Sequence, residues 1–202
     1  MTIEPKKRLT IGISGASGSH IALKLLKFLK ETADWETHVV ISKGGIRTLE
    51  HETRLNESAL ESYATKVYEF KDVGASIASG TFHTEGMVIV PCSMKTAAGV
   101  ASGYSENLLL RAADVTLKEQ RPLVMVVRET PLSEIHLRNM LTLAQNGIVV
   151  LPPMLTYYNH PNSIEDATSH IVGKILQKFG LEDKNFKRWG TDECSAPVRA
   201  FS

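Results

Sequence analysis

Two short apolar runs constrain the fold more than any other feature of the chain: Met87-Val88-Ile89-Val90-Pro91 and Leu123-Val124-Met125-Val126-Val127. Neither alternates with polar residues, so each is apolar on both faces, and both are rich in Val, Ile or Met. That is the pattern of central strands in a parallel sheet. Both runs stop abruptly, the first at Cys92-Ser93-Met94-Lys95-Thr96 and the second at Arg128-Glu129-Thr130. Open α/β sheets bind ligands outside the carboxyl ends of their strands. There the first run presents hydroxyls and a cation, and the second a charge pair, which together suit an anionic ligand.

Composition removes several classes. A chain of 202 residues is one domain by length and buries a sizeable core. A formal net charge of +1 gives no reason to invoke nucleic acid or an acidic surface. The two cysteines, Cys92 and Cys194, have no metal or redox spacing and are too few for a disulfide scaffold, which fits a reducing cytoplasm. Lys6-Lys7-Arg8 and the apolar residues after it resemble a secretory signal, but glycine breaks the apolar run too soon, and a strand is expected instead. No stretch approaches the roughly 20 apolar residues of a membrane span.

Periodicity and turn residues predict further strands at 8–14, 37–41, 67–68 and 148–151. Helices are predicted at 19–31, 44–52, 56–63, 96–101, 105–118, 133–145 and 163–179, with a polar tail from about residue 181. Strands alternating with helices imply a doubly wound parallel sheet, Rossmann- or flavodoxin-like, in a single domain over 1–202. The turn Gly15-Ala16-Ser17-Gly18 between the first strand and helix reads as a phosphate cradle, because helix N–H groups point at the ligand. It is not a dinucleotide fingerprint, and the strand at 37–41 ends in Ser42-Lys43 rather than an acid that would hold a ribose. A mononucleotide phosphate fits better than NAD. The Gly/Ala/Ser-rich segment 72–84 is a loop, either plain surface or approaching a ligand or neighbouring subunit. Arg111, Asp114 and Lys118 share one helix face, a row that by itself reads as a solvated salt-bridged surface. Cys92 is either a nucleophile near a helix start or a small buried residue. The seven histidines form no ligand pair, and there is no G-x-S-x-G elbow.

Several longer motifs then occur in order: Gly15-Ala16-Ser17-Gly18, Pro91-Cys92-Ser93-Met94-Lys95-Thr96, Arg111-Ala112-Ala113-Asp114-Val115, Leu117-Lys118-Glu119 and Arg128-Glu129-Thr130-Pro131-Leu132. They continue through His136-Leu137-x-Asn139-Met140, Tyr158-x-x-Pro161 and Arg188-Trp189. In these the chain resembles the UbiX-type flavin prenyltransferases over nearly its whole length. Ile77-Ala78-Ser79-Gly80 and Pro152-Pro153-Met154 resemble most the members that accompany hydroxyarylic-acid decarboxylases.

The resemblance implies attachment of a dimethylallyl group from dimethylallyl phosphate to N5 and C6 of reduced FMN, without a metal. The prenylated FMN would serve a UbiD-type decarboxylase. It implies that FMN lies against Gly15, Ala16, Ser17, Ser42, Ser93, Met94, Lys95, Thr96 and Arg128. The allylic phosphate would be held by Arg111, Lys118, Tyr158 and Lys174, with Glu52 arriving from a neighbouring subunit. Glu129 would act as acid/base, helped by Ser17, and Trp189 would close over the site. A homododecamer built from trimers is implied as well. Two departures bear on the donor: position 174 is Lys where the family usually has Arg, and Leu155-Thr156-Tyr157-Tyr158 replaces Pro-Ala-Phe-Tyr. The alternatives are a non-catalytic FMN carrier or accessory subunit of a decarboxylase, and an FMN-dependent cysteine decarboxylase. For the latter His51 is present but a Pro-x-Met-Asn segment is not.

Overall fold

The computed structural model describes residues 6–184 and 186–190. They fall into two compact units that divide between Pro153 and Met154. The first contains β1 (Lys7–Ile13), α1 (Ser19–Glu31), β2 (Trp35–Ile41), α2 (Lys43–Thr53), β3 (Lys66–Tyr68) and β4 (Gly86–Cys92). It continues with α3 (Met94–Ala101), α4 (Leu108–Lys118), β5 (Leu123–Val127), α5 (Glu134–Gln145) and β6 (Val149–Val150). The second contains α6 (Ile164–Leu176), a 3₁₀ turn at Gln177–Phe179 and the residues that follow. Cys194 lies outside the described residues.

The six strands are all parallel, in the order β3-β2-β1-β4-β5-β6. The chain winds outward from β1 to β3, returns to lay β4 on the other side of β1, and winds outward again. The doubly wound class is therefore as the apolar runs predict, and β1 and β4 flank the topological switch point. All seven residues of β4 are buried. Met87 and Ile89 pack into a cluster with Met125, Leu109, Ala113 and Leu143. The intervening Val88 and Val90, also fully buried, face the opposite side by strand alternation.

Local hydrogen bonds move several element boundaries from their sequence positions. Helix α3 begins at Met94 rather than 96 because the Ser93 hydroxyl accepts from the Thr96 N–H at 3.3 Å and caps it. Helix α4 begins at Leu108 rather than 105 because Asn107 accepts from the Leu110 N–H at 3.1 Å. Segment 56–63 is a 3₁₀ turn, Glu57–Ser62, capped by Asn56. At the start of α6 Ser163 accepts from the Asp166 N–H, but Asp166 accepts from the N–H of Asn162, one residue before the cap. The 72–84 segment is not plain surface. Ile77 and Ala78 are buried, and the Arg121 guanidinium donates to the carbonyls of Gly80 and Phe82 at 2.7 and 3.2 Å. Among the described residues no helix is long and apolar enough to cross a membrane.

Candidate active site

Ser14, the residue after β1, joins the two strands of the switch point. Its hydroxyl donates to the Pro91 carbonyl at 3.1 Å and accepts from the Ser93 N–H at 2.7 Å. The β4–β5 register shifts between Ile89 and Cys92, and the Arg128 N–H then donates to the Cys92 carbonyl at 3.0 Å. Such a shift re-aims a strand end. The carboxyl edge thus presents, in spatial order, Ser42 after β2, residues 14–17 after β1, Ser93 after β4 and Arg128 after β5.

Above this edge α2 and α3 begin, each capped by a serine; Ser42 accepts from the Gly45 N–H at 3.0 Å. The residues at both starts line a pocket of about 1080 Å³, at the upper end of small-molecule sites. Gly15, Ser42, Lys43, Ser93, Lys95 and Thr96 supply its polar wall. Phe70, Leu109 and Leu110 supply apolar surface, Lys71 adds a cation, and Glu106 is the one carboxylate among the lining residues. Helix N-termini and ammonium groups attract a phosphate, while the apolar surface suits a flat ring system. FMN has both parts. Of the expected flavin residues, Gly15, Ser42, Ser93, Lys95 and Thr96 line this pocket, and Ala16, Ser17, Met94 and Arg128 do not. Met94 is buried in the core cluster and keeps only its backbone at the start of α3.

The expected cradle at the start of α1 is already filled, which corrects the sequence reading. The Glu52 carboxylate, in the last turn of α2, accepts from the Gly18 N–H at 3.1 Å and the Ser19 N–H at 2.7 Å of its own chain. Glu52 therefore serves this chain's own Ser17 loop rather than arriving from a neighbour. An internal carboxylate completes a helix that has no acid in its first turn. The close approach needs glycine at 15, where a Cβ would lie 3.0 Å from the Gly44 backbone. Gly18, with φ of 125°, adopts a conformation that other residues avoid.

Burial opposes the Glu52 charge, yet the Ser17 hydroxyl and the N–H groups of Ser19 and Gly18 outweigh it and hold the carboxyl below its ordinary 4.5. A depressed pKa means stability that is present above 4.5 and lost as pH falls through the folded-state value. Glu52→Gln is therefore expected to lower unfolding stability by about 1–2 kcal/mol at neutral pH. The gap from the parent protein should close below pH 4.5. Urea melts between pH 3 and 7 check this, and a gap independent of pH would contradict the assignment.

On α4 the row of charges is paired. Arg111 bridges Asp114 at 2.6 Å, and Lys118 pairs with Glu119 rather than Asp114. The 72–84 segment reaches this end of α4: a Cβ on Gly80 would meet Glu119 and the Lys118 ammonium. Arg128 and Glu129 are exposed at the end of β5, and Glu129 accepts from the Thr130 N–H at 3.1 Å. Cys92 is fully buried and burial pushes its thiol far up, so of its two sequence readings the small buried residue is correct.

In the second unit Tyr158, Lys174 and Trp189 share one aromatic cluster. Trp189 meets Tyr158 edge-on at 5.1 Å, and Tyr158 meets His170 edge-on at 5.7 Å. Phe186 stacks on His170 at 4.9 Å, with the Lys174 ammonium 5.6 Å from its ring. Phe186 lies directly on Gly173, where any Cβ would come within 2.2 Å of it.

A family model described as Flavoprotein matches residues 2–180. The chain belongs to the Flavoprotein family. It is 49% identical over 186 residues to the flavin prenyltransferase LpdB of Lactiplantibacillus plantarum, covering 92% of this chain and all of LpdB. The structure of AnUbiX (PadA1) in complex with FMN and dimethylallyl pyrophosphate superposes with a TM-score of 0.89 at 42% identity, over 92% of this chain and 98% of that one. A dodecameric FMN-dependent UbiX-like decarboxylase from Escherichia coli O157:H7 gives the same TM-score at 44% identity, over 91% of this chain and 100% of that one. Within this member of the Flavoprotein family, sequence reasoning missed Phe70, Lys71 and Tyr104 as pocket residues and His170 and Phe186 beside Tyr158. Phe70 and Tyr104 carry no spacing signal because they come from loops. His170 was detectable only as one turn before Lys174 on the same helix face.

Proposed function

We propose that the chain is a flavin prenyltransferase, joining the dimethylallyl group of dimethylallyl phosphate to N5 and C6 of reduced FMN and releasing phosphate. The observation that carries this is the phosphate-and-ring pocket at the β1/β4 switch point, in a chain 42% identical to a protein solved with FMN and dimethylallyl pyrophosphate. Reduced FMN supplies the nucleophilic N5 and C6. Ser42, Ser93, Thr96 and the adjoining helix starts hold its phosphate, with Gly15 allowing close approach; Arg128, outside that lining, is assigned to the flavin by the family resemblance alone. The family resemblance assigns the allylic phosphate to Arg111 and Lys118 of the first unit and to Tyr158 and Lys174 of the second, cations and a phenol suited to stabilise the charge that grows on it as the C–O bond breaks. Glu129 moves a proton between the reacting groups, with Ser17 nearby. Trp189 and the tyrosine loop exclude water and offer π faces to the allylic carbon.

The product passes to a UbiD-type decarboxylase, and we place the enzyme in the cytoplasm on its cysteine usage. A homododecamer, as in the Escherichia coli structure, is the assembly proposed. No specific observation favours the carrier or the cysteine decarboxylase. The test is anaerobic incubation with reduced FMN and either dimethylallyl monophosphate or the diphosphate, followed by mass analysis of the released flavin. A gain of one C5 unit supports transfer, and bound but unmodified FMN supports the carrier. An absence of bound flavin sinks both.

A further inference from the structure

We propose that His170 is a positioning residue that aims the Tyr158 phenol at the allylic phosphate; this rests on the prenyl-transfer reading above. His170 lies one turn before Lys174 on α6, so both lie on the same helix face. Its Nε2 is 3.5 Å from the Tyr158 hydroxyl, and its ring is fixed on the other side by stacking on Phe186. His170 as a residue is 5% exposed. Burial, and then the Lys174 charge, hold its pKa below the ordinary value, so it is neutral and carries one ring hydrogen.

The hydrogen is assigned by the environment of the two nitrogens. Nδ1 is buried and has no hydrogen-bond partner among the described residues. A buried N–H without a partner is rarer than an acceptor without one, so the hydrogen belongs on Nε2. With its hydrogen on Nε2, His170 donates to the phenol oxygen. The phenol's own hydrogen is then free to point away from the imidazole, toward a phosphate oxygen. A phenol that accepts one hydrogen bond while donating another is also the stronger donor. With the opposite tautomer Tyr158 would spend its hydrogen on His170 and have none for the substrate.

The test uses full-length protein and compares His170→Phe, which keeps a ring against Phe186, with His170→Gln, whose amide places a donor near the position of Nε2. The expected result for His170→Phe is a kcat/KM for dimethylallyl monophosphate lowered about 10-fold, the loss of one ordinary hydrogen bond, with FMN affinity unchanged. His170→Gln should recover most of it. In a Tyr158→Phe background, His170→Phe should add nothing, whereas an independent structural role would add its full effect. In ligand-free protein labelled at tyrosine Cζ, the Tyr158 resonance, identified by its loss in Tyr158→Phe, should move in His170→Phe and stay near its place in His170→Gln. A resonance that does not move, or a kcat/KM that does not change, overturns the proposal. If the resonance moves but the parent enzyme transfers no prenyl group from either donor, prenyl transfer itself has failed; the contact then stands and the substrate role falls with that reading.

Discussion

Replacing Glu129 by glutamine is expected to leave FMN binding intact and to lower the rate of prenyl transfer by about 100- to 10,000-fold, the range for loss of a general acid/base. The substitution preserves size and the acceptor oxygen that the Thr130 N–H uses, so the turn after β5 should persist. What it removes is the ability to exchange a proton. Glu129 lies outside the residues that line the flavin pocket, which is why binding and turnover should separate. Flavin fluorescence titration gives the first quantity and anaerobic single-turnover mass analysis the second. Full activity in the variant would remove Glu129 from the mechanism, and a matching loss of FMN would make its role structural.

The second large effect is expected at Lys118. Lys118→Met should lower kcat/KM by about 100- to 1,000-fold, or roughly 3–4 kcal/mol, as for other donors aimed at charge that develops in a transition state. The ion pair with Glu119 sharpens this expectation. Removing the ammonium leaves the Glu119 carboxylate with only the Arg121 charge to offset it beside an incoming phosphate, so part of the loss is repulsion rather than missing attraction. Lys118→Met combined with Glu119→Gln should therefore recover a share of the activity, a positive coupling that additive effects cannot produce. Arg111 offers the complementary control. Its partner Asp114 is a structural ion-pair residue, and both side chains are only partly buried. Exposed pairs of this kind contribute about 0.2–1 kcal/mol, so Asp114→Asn should change stability little. Steady-state kinetics with dimethylallyl monophosphate across these variants decide the matter, and a Lys118→Met enzyme of unchanged kcat/KM would rule out a phosphate role for that lysine.

Much of the molecule is written locally. The run from Met87 to Pro91 has to be a central strand because no alternation offers it a wet face. Its polar end at Ser93 then has to lie on the ligand-binding edge, since parallel strands all end on one side. Ser42, Ser93 and Asn107 cap their helices through atoms three residues away, a distance the sequence displays. The row Arg111, Asp114 and Lys118 follows from helical period alone, although which carboxylate each cation chose did not.

Other features depend on groups far apart in the chain. The glycine turn before α1 has every local mark of a phosphate cradle, yet Glu52, 33 residues beyond Ser19, occupies it. Ser14 reaches 79 residues to Ser93 to join the two strands at the switch point. His170 becomes notable only when α6 brings it beside Tyr158 and Phe186 lies over Gly173. Periodicity and capping report where a side chain points relative to its own helix or strand. Hydrogen bonds between distant polar groups depend instead on how the elements pack, because only folding brings their atoms within 3 Å of each other and excludes the competing water. The sequence by itself therefore determined the sheet, its edge and the kind of ligand that edge attracts; tertiary packing decided that Glu52 holds the start of α1 and that His170 faces the phenol.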